Sequence, residues 1–509
     1  MKNVSLKKNW KEREENYMRT NNSILKNIIY KFSLEILRIF IPIISVPYIY
    51  RIFKPEIMGQ IEFSQSISGY FFIFAGFGVY TYGLREVSRI RNDEKKRNKL
   101  FTELFLISAG SSILVIIIYL SYILLKFHDS NMLKNMLLIN SIHLIAYIFY
   151  IEWINEAFEN YKFISQKTII IKVINVICIF LFIKIADDFY KYLFLINIFI
   201  FINNFISFIY IRKYIKFDFK NLKIKKYIFP LGIMLLISNI NILYTQLDRI
   251  SLGFYVKDMS EVAYYSVSQK VMSIMVVIIM SIITVSMPRL SFYLGERNQR
   301  EYEKLLNNLF KYSYLLLFPI AVGIIILSKE ISLFFGGSLY LPAQTVVSIF
   351  GIRVIVIVIE SLLSNQVIFL HQKEKTIALI YGICGFFNLI LKTLLIKFNY
   401  FNASTAIFTT MLCEILIIFL DLLYIKNHLK INLKIFNFNS LKYFLFSLSF
   451  FGIKYILRNI ELHYILYSIL IFICCSLTYL VLLILSKDEC LIEIISKLNL
   501  KKYFMGEKK

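Results

Sequence analysis

The residues with chemistry to offer are charges set inside apolar stretches. Lys31, Glu35 and Arg38 lie at i, i+4 and i+7, and Pro42 and Pro47 follow them. Asn241 and Asp248 are seven residues apart, with Arg249 beside the aspartate. Lys270 stands in the next apolar stretch, and Arg353 and Glu360 are again seven apart, as are Glu414 and Asp421. Seven residues are about two turns, so the members of each pair share a helix face. A charge at the centre of a membrane helix costs about 2.5–3.5 kcal/mol on insertion scales, so it faces a partner or water.

The cationic members, Arg38, Lys270 and Arg353 with Lys31 and Arg249 flanking, suit an anionic head group. Arginine offers phosphate a two-pronged fork, and lysine offers a point charge. The acidic members, Glu35, Asp248, Glu360, Glu414 and Asp421, suit gating or the binding of a coupling ion, sodium or proton. Each has a plainer role open to it. Glu35 neutralises its neighbours, Asp248 pairs locally with Arg249, and Glu414 and Asp421 find packing partners. Lys311 and Lys392 read as snorkelling or packing groups.

Nothing in the chain has the spacing of a catalytic or metal centre. There is no GxxxxGK[ST], no HExxH and no CxxC. The five histidines are scattered, and only His143 falls mid-span, where a structural hydrogen bond is expected of it. No cofactor and no metal are expected. Gly76 and Gly78 sit in an apolar helix and read as packing positions rather than a dinucleotide turn. All six cysteines fall outside predicted external loops, which argues against a disulfide framework.

The elements that must position these charges are transmembrane helices. Of 509 residues 58% are hydrophobic and only 18% charged, and mean hydropathy is +0.64. The apolar residues come in blocks of about 20, the length that crosses a bilayer core. This excludes a soluble enzyme, a disordered chain and a nucleic-acid-binding domain. Fourteen blocks are expected, near 28–50, 62–84, 101–125, 135–152, 168–186, 190–211, 228–250, 262–287, 305–328, 342–370, 376–396, 401–425, 440–457 and 463–486. The net charge of +25 then reflects the positive-inside rule. With the N-terminus inside, Lys and Arg number 39 on the cytoplasmic side and 12 on the other. Both termini are expected in the cytoplasm.

A faint repeat at an offset of 204 aligns Gly59 with Ala263, the run 63–67 with 267–271, and Arg85 with Arg289. It divides the chain into a cytoplasmic segment 1–27, a lobe of six helices over 28–211, and a basic linker at 212–227. A second six-helix lobe follows over 228–425, then an added helix pair over 440–486 and a cytoplasmic tail at 487–509.

Three runs carry a resemblance: Pro47-Tyr-Ile-Tyr-Arg-Ile-Phe-Lys-Pro-Glu-Ile-Met-Gly59, Phe63-Ser-Gln-Ser66, and Ala75-Gly-Phe-Gly-Val-Tyr-Thr-Tyr-Gly-Leu-Arg-Glu86. It continues through Leu247-Asp-Arg-Ile-Ser-Leu-Gly253, Ala263–Lys270, Met287-Pro-Arg-Leu-Ser291, Phe318–Gly323 and Phe334-Phe-Gly-Gly337. The chain resembles bacterial polysaccharide transporters of the O-antigen flippase type, in the MATE-like (multidrug/oligosaccharidyl-lipid/polysaccharide) superfamily. Departures fall at Lys392, where members often have Asn, and at 400–407, where a Gly-Ala-Ala-rich turn is usual.

The resemblance implies an all-α polytopic protein with two six-helix lobes around a cavity that opens alternately to each side. It implies flipping of an undecaprenyl-pyrophosphate-linked oligosaccharide across the bacterial cytoplasmic membrane, for surface polysaccharide biosynthesis, and coupling to an ion gradient. Membrane lipids, a polysaccharide polymerase and a chain-length regulator are the expected partners, and nucleic acid is not. A cation-coupled drug exporter of the same superfamily is the alternative. A membrane-embedded polymerase or ligase is disfavoured, because the longest external connection is about a dozen residues and leaves no room for a catalytic loop.

Overall fold

The computed structural model describes residues 30–497, except 31, 35, 38, 91–92, 128–129, 434 and 436–437; at 236–245, 438–439 and 494–497 it describes the backbone alone. Among the described residues every regular element is helical. Helices α1 (Phe32–Ile52), α2 (Pro55–Gly76), α3 (Val79–Ile90), α4 (Glu94–Lys126), α5 (Asn131–Ile148) and α6 (Glu152–Ala157) open the chain. They are followed by α7 (Tyr161–Phe182), α8 (Phe189–Ile211), α9 (Lys225–Tyr255), α10 (Ser260–Gly295), α11 (Gln299–Ile326) and α12 (Ser328–Gly336). The last are α13 (Ala343–Leu363), α14 (Glu374–Lys397), α15 (Ala403–Tyr424), α16 (Phe438–Leu457), α17 (Tyr464–Leu485) and α18 (Glu489–Lys497).

Thirteen helical stretches of the described residues are long and apolar enough to cross a membrane. They match thirteen of the fourteen expected blocks. The other block, 228–250, lies within α9, part of which is described in backbone only. Large apolar side chains such as Leu125, Val285, Phe229 and Ile456 stand exposed on these helices. That surface suits lipid, where a helix meets its own backbone hydrogen-bonding needs. The protein is a multi-pass membrane protein.

The chain divides into two compact units. The first runs to Val46 and resumes over Phe63–Asn239; the second takes Pro47–Glu62 and the described chain from Ile240 on. In the first unit α5 packs against α4 and α8, while α3 packs against α4 and α6. Trp153, Phe101, Leu104, Val87 and Leu231 share one of its apolar cores. In the second unit α13 is central and touches α10, α11 and α15; it is rich in Val and Ile and is the most enclosed span. Short-range devices set the ends. Asp93 caps α4 by accepting from the Lys96 amide at 3.1 Å. Asn402 and Thr405 cap α15 reciprocally, both bonds at 2.9 Å, a device worth about 1 kcal/mol.

The expected block 62–84 is a broken span. Phe77 and Gly78 take positive φ, 42° and 71°, and separate α2 from α3. A Cβ on Gly78 would lie 2.4 Å from the Leu231 carbonyl oxygen. Gly76 does pack against a helix neighbour, as expected, but Gly78 also makes the break, which only a residue without a side chain accepts there.

Candidate functional site

The second unit gathers most of the predicted charges. One cluster is partly open. Tyr50, near the end of α1, donates to Glu62 at 3.0 Å. Arg249 of α9 reaches the same carboxylate at 3.1 Å, and Lys270 of α10 pairs with its other oxygen. The Lys270 ammonium also donates to the Tyr50 hydroxyl at 2.9 Å and lies 4.8 Å from that ring's centre. A glycine brings these groups together. A Cβ on Gly59 would sit 1.8 Å from the Met259 carbonyl oxygen, so α2 approaches that backbone only at this residue. Glu62 lies about one turn further on.

The charge count decides what the cluster can hold. One carboxylate, 2% exposed, faces two cations, with 17% of the Arg249 side chain and 32% of the Lys270 side chain exposed. Among the described residues a net positive charge remains, and the Arg249 Nε has no hydrogen-bond partner. Such an arrangement suits an anion.

A second cluster is closed. Asp248 is fully buried, pairs with Lys392, and accepts from the hydroxyls of Thr410 (2.8 Å) and Tyr265. The local pair with Arg249 therefore does not form, and Lys392 neither snorkels nor merely packs. Consecutive helical residues point about 100° apart, so Asp248 and Arg249 address different neighbours.

Arg353 is fully enclosed and locked onto Glu414 by two bonds, Nε at 2.8 Å and Nη2 at 2.5 Å. Its fork is taken up by protein, so the structure does not bring Arg353 to open space where a phosphate would meet it. Glu360 accepts from Tyr381, and Asp421 accepts from Ser364 at 2.6 Å. Among the described residues, each of these two acids keeps one buried oxygen without a partner. Glu360 and Asp421 thus remain apart from the ion pairs, while Glu414 and Asp248 do not. Lys311 reaches Glu489 at 2.6 Å. Lys31, Glu35 and Arg38 lie outside the described residues.

The first unit holds a feature that residue types alone did not reveal. At the α2–α3 break a cavity of about 320 Å³ is lined by Tyr80, Thr81, Ser108, Tyr147, Tyr150 and Trp153, among others. Two glycines seat its rings. A Cβ on Gly76 would lie 2.9 Å from Tyr147, and one on Gly83 would lie 2.6 Å from Trp153. Short α6, which carries Trp153, is anchored through Glu152, bonded to Lys167 at 3.2 Å and to the Ser207 hydroxyl at 2.5 Å. The run Gly76-Phe-Gly-Val-Tyr-Thr-Tyr-Gly83 carried part of the resemblance, and this cavity is what its glycines and aromatics build. His143 rests on Phe72, ring centres 3.9 Å apart. All six cysteines are free.

Residues 24–294 match the model of a family described as "Polysaccharide biosynthesis protein". The chain belongs to that family. A protein of Shigella dysenteriae named "Putative O-antigen transporter" is 24% identical to this family member over 409 residues, which is 79% of this chain and all of that protein. Among solved structures, the lipid II flippase MurJ in an inward closed conformation superposes with a TM-score of 0.71 at 18% identity, covering 91% of this chain and 99% of that one. An inward-facing multidrug resistance MATE family transporter of the MOP superfamily gives a TM-score of 0.61 at 13% identity, covering 79% of this chain and 99% of that one. The polysaccharide biosynthesis protein thus has a MurJ- and MATE-like fold.

Proposed function

We propose that the chain is a flippase that carries an undecaprenyl-pyrophosphate-linked oligosaccharide across the bacterial cytoplasmic membrane for surface polysaccharide assembly. The observation that carries this reading is the half-open cluster of Lys270 and Arg249 around Glu62, with its net positive charge and an unpartnered donor. Moving a diphosphate into hydrocarbon requires a replacement for its lost hydration, and a cation pair supplies it. The polyprenyl tail remains in lipid. Alternate exposure of this cluster to the two sides of the membrane moves the head group, with both chain termini in the cytoplasm. Membrane lipids are the surroundings, and a polymerase takes up the delivered unit. Ion-gradient coupling, by sodium or proton, uses the spare carboxylate oxygens of Glu360 and Asp421. A drug-cation exporter would need the opposite charge balance at its half-open cluster.

The test is a complementation experiment. A deletion strain should lose its surface polysaccharide and regain it with the wild-type gene. A triple variant, Arg249→Gln and Lys270→Gln with Glu62→Gln so that no buried carboxylate is left uncompensated, should restore less than about a tenth of it at normal protein level, since charged hydrogen bonds are worth about 1.5–3 kcal/mol each. A deletion strain with unaltered polysaccharide and changed drug sensitivity would overturn the reading.

A further inference from the structure

We propose that the cavity at the α2–α3 break of the first unit binds a neutral pyranose ring, namely one sugar of the lipid-linked cargo. The source of that sugar rests on the flippase reading; the ligand chemistry rests on the cavity. Its volume of about 320 Å³ lies at the small end of ligand sites. Tyr80 and Tyr150 are stacked, with ring centres 5.8 Å apart at 9°, and Tyr147 lies 5.0 Å from Tyr150. Aromatic faces are electron-rich, and the polarised C–H faces of a pyranose lie flat against them. The hydroxyls of Thr81, Ser108 and Tyr150 line the same space. They offer donors and acceptors to the ring substituents of a sugar.

Other ligands fit less well. Among the described residues no Lys, Arg, Asp or Glu lines the cavity, so a diphosphate finds no counter-charge from them there. Of the acids nearby, Glu152 is engaged by Lys167 and Ser207, and Glu156 accepts a 2.8 Å hydrogen bond from the Tyr80 hydroxyl. That leaves the Tyr80 oxygen as an acceptor. A polyprenyl chain would set the hydroxyls of Ser108 and Tyr150 against hydrocarbon, at a cost that a sugar avoids. The cavity and the cation cluster thus differ in chemistry: aromatic rings and hydroxyls that suit a sugar in one unit, cations that suit phosphate in the other.

Trp153 provides a local reporter. The chain has two tryptophans, at 10 and 153, so Trp10→Phe leaves the cavity residue as the single indole. The full chain is placed in lipid nanodiscs, because glycoside detergents would compete. It is titrated with the methyl glycosides of glucose, galactose, N-acetylglucosamine and rhamnose, and separately with inorganic pyrophosphate. At least one glycoside should change Trp153 fluorescence saturably, and pyrophosphate should not. Tyr150→Ala should weaken that response about ten-fold or more, whereas Tyr150→Phe, which keeps the ring, should stay within about three-fold.

Silence towards every glycoside, a response to pyrophosphate alone, or an equal glycoside response in Tyr150→Ala would overturn the site. The titration needs no transport, so the two readings fail separately. Saturable glycoside binding in a protein whose deletion leaves polysaccharide unchanged sinks the flippase and keeps the site. A silent titration with lost polysaccharide does the reverse.

Discussion

In the first unit most deep polar side chains are neutral, the Lys167–Glu152 pair apart, and several are linked by hydrogen bonds. Asn197 donates to Asn140 at 3.0 Å, Asn140 donates to Ser64 at 3.1 Å, and Ser68 and Tyr119 share a bond of 2.8 Å. In the second unit the corresponding work is done by charge: Arg353 with Glu414 and Lys392 with Asp248, all four almost without exposure. Helices in lipid gain little from burying apolar faces against one another, so polar bonds and close packing hold them. Both solutions hold helices together, but they differ in what breaking them costs. A neutral bond lost within a membrane protein leaves modest penalties, whereas a charge stripped of its partner keeps its full desolvation cost. The second unit therefore carries a built-in expense.

The sharpest way to break this contrast is to cut the Arg353–Glu414 pair. Glu414→Gln leaves a fully enclosed guanidinium uncompensated and should destabilise the protein by about 3–5 kcal/mol. The double variant Arg353→Met with Glu414→Leu removes both charges and should recover most of that loss. Thermal unfolding in detergent measures both. A single variant as stable as wild type would show that the pair is not dry.

The neutral chain should respond more gently. Asn140→Ala removes two side-chain bonds and should cost about 0.6 kcal/mol, and at most about 1.7, in line with hydrogen bonds between membrane helices. The same melting experiment reads it. If Asn140→Ala costs as much as Glu414→Gln, the distinction between the two units fails.

Much of the architecture was legible because a bilayer imposes a length. Blocks of about 20 apolar residues have few alternatives to a spanning helix, and thirteen appear where expected. The partners of the charges were not legible. Lys392 meets Asp248 from 144 positions away, and nothing in the local pattern announces such a pair. Glu62 was missed at the edge of an apolar block; its only signal is the polar run Glu62-Phe-Ser-Gln-Ser66. The aromatic cavity was hidden for another reason. The chain has 35 tyrosines, so the three that line the cavity, drawn from two separate segments, do not stand out by type. What did mark the place was its glycines, because a backbone break and two ring contacts each exclude a side chain.

At the water-facing edge of the second unit the same kind of pair falls into a third regime, and pH tests it. Asp488 pairs with Lys442, and it accepts from Tyr443 at 2.9 Å and from the Leu491 amide at 3.0 Å. Burial alone would raise its carboxyl, but these three donors more than offset that and hold it below the usual range. A carboxyl depressed in the folded state stabilises fully above its unfolded value, about 3.9, and loses that contribution as pH falls through the folded value. The effect should be the smallest of the three, because it reads only the difference between the folded and unfolded protonation of one carboxyl. Wild type and Asp488→Asn, melted in detergent from pH 7 to pH 3, should differ by a constant amount down to about pH 5 and converge below about pH 4. A difference that widens on acidification would mean that Asp488 is protonated in the folded protein, and that this clasp belongs with the buried acids rather than with the ion pairs.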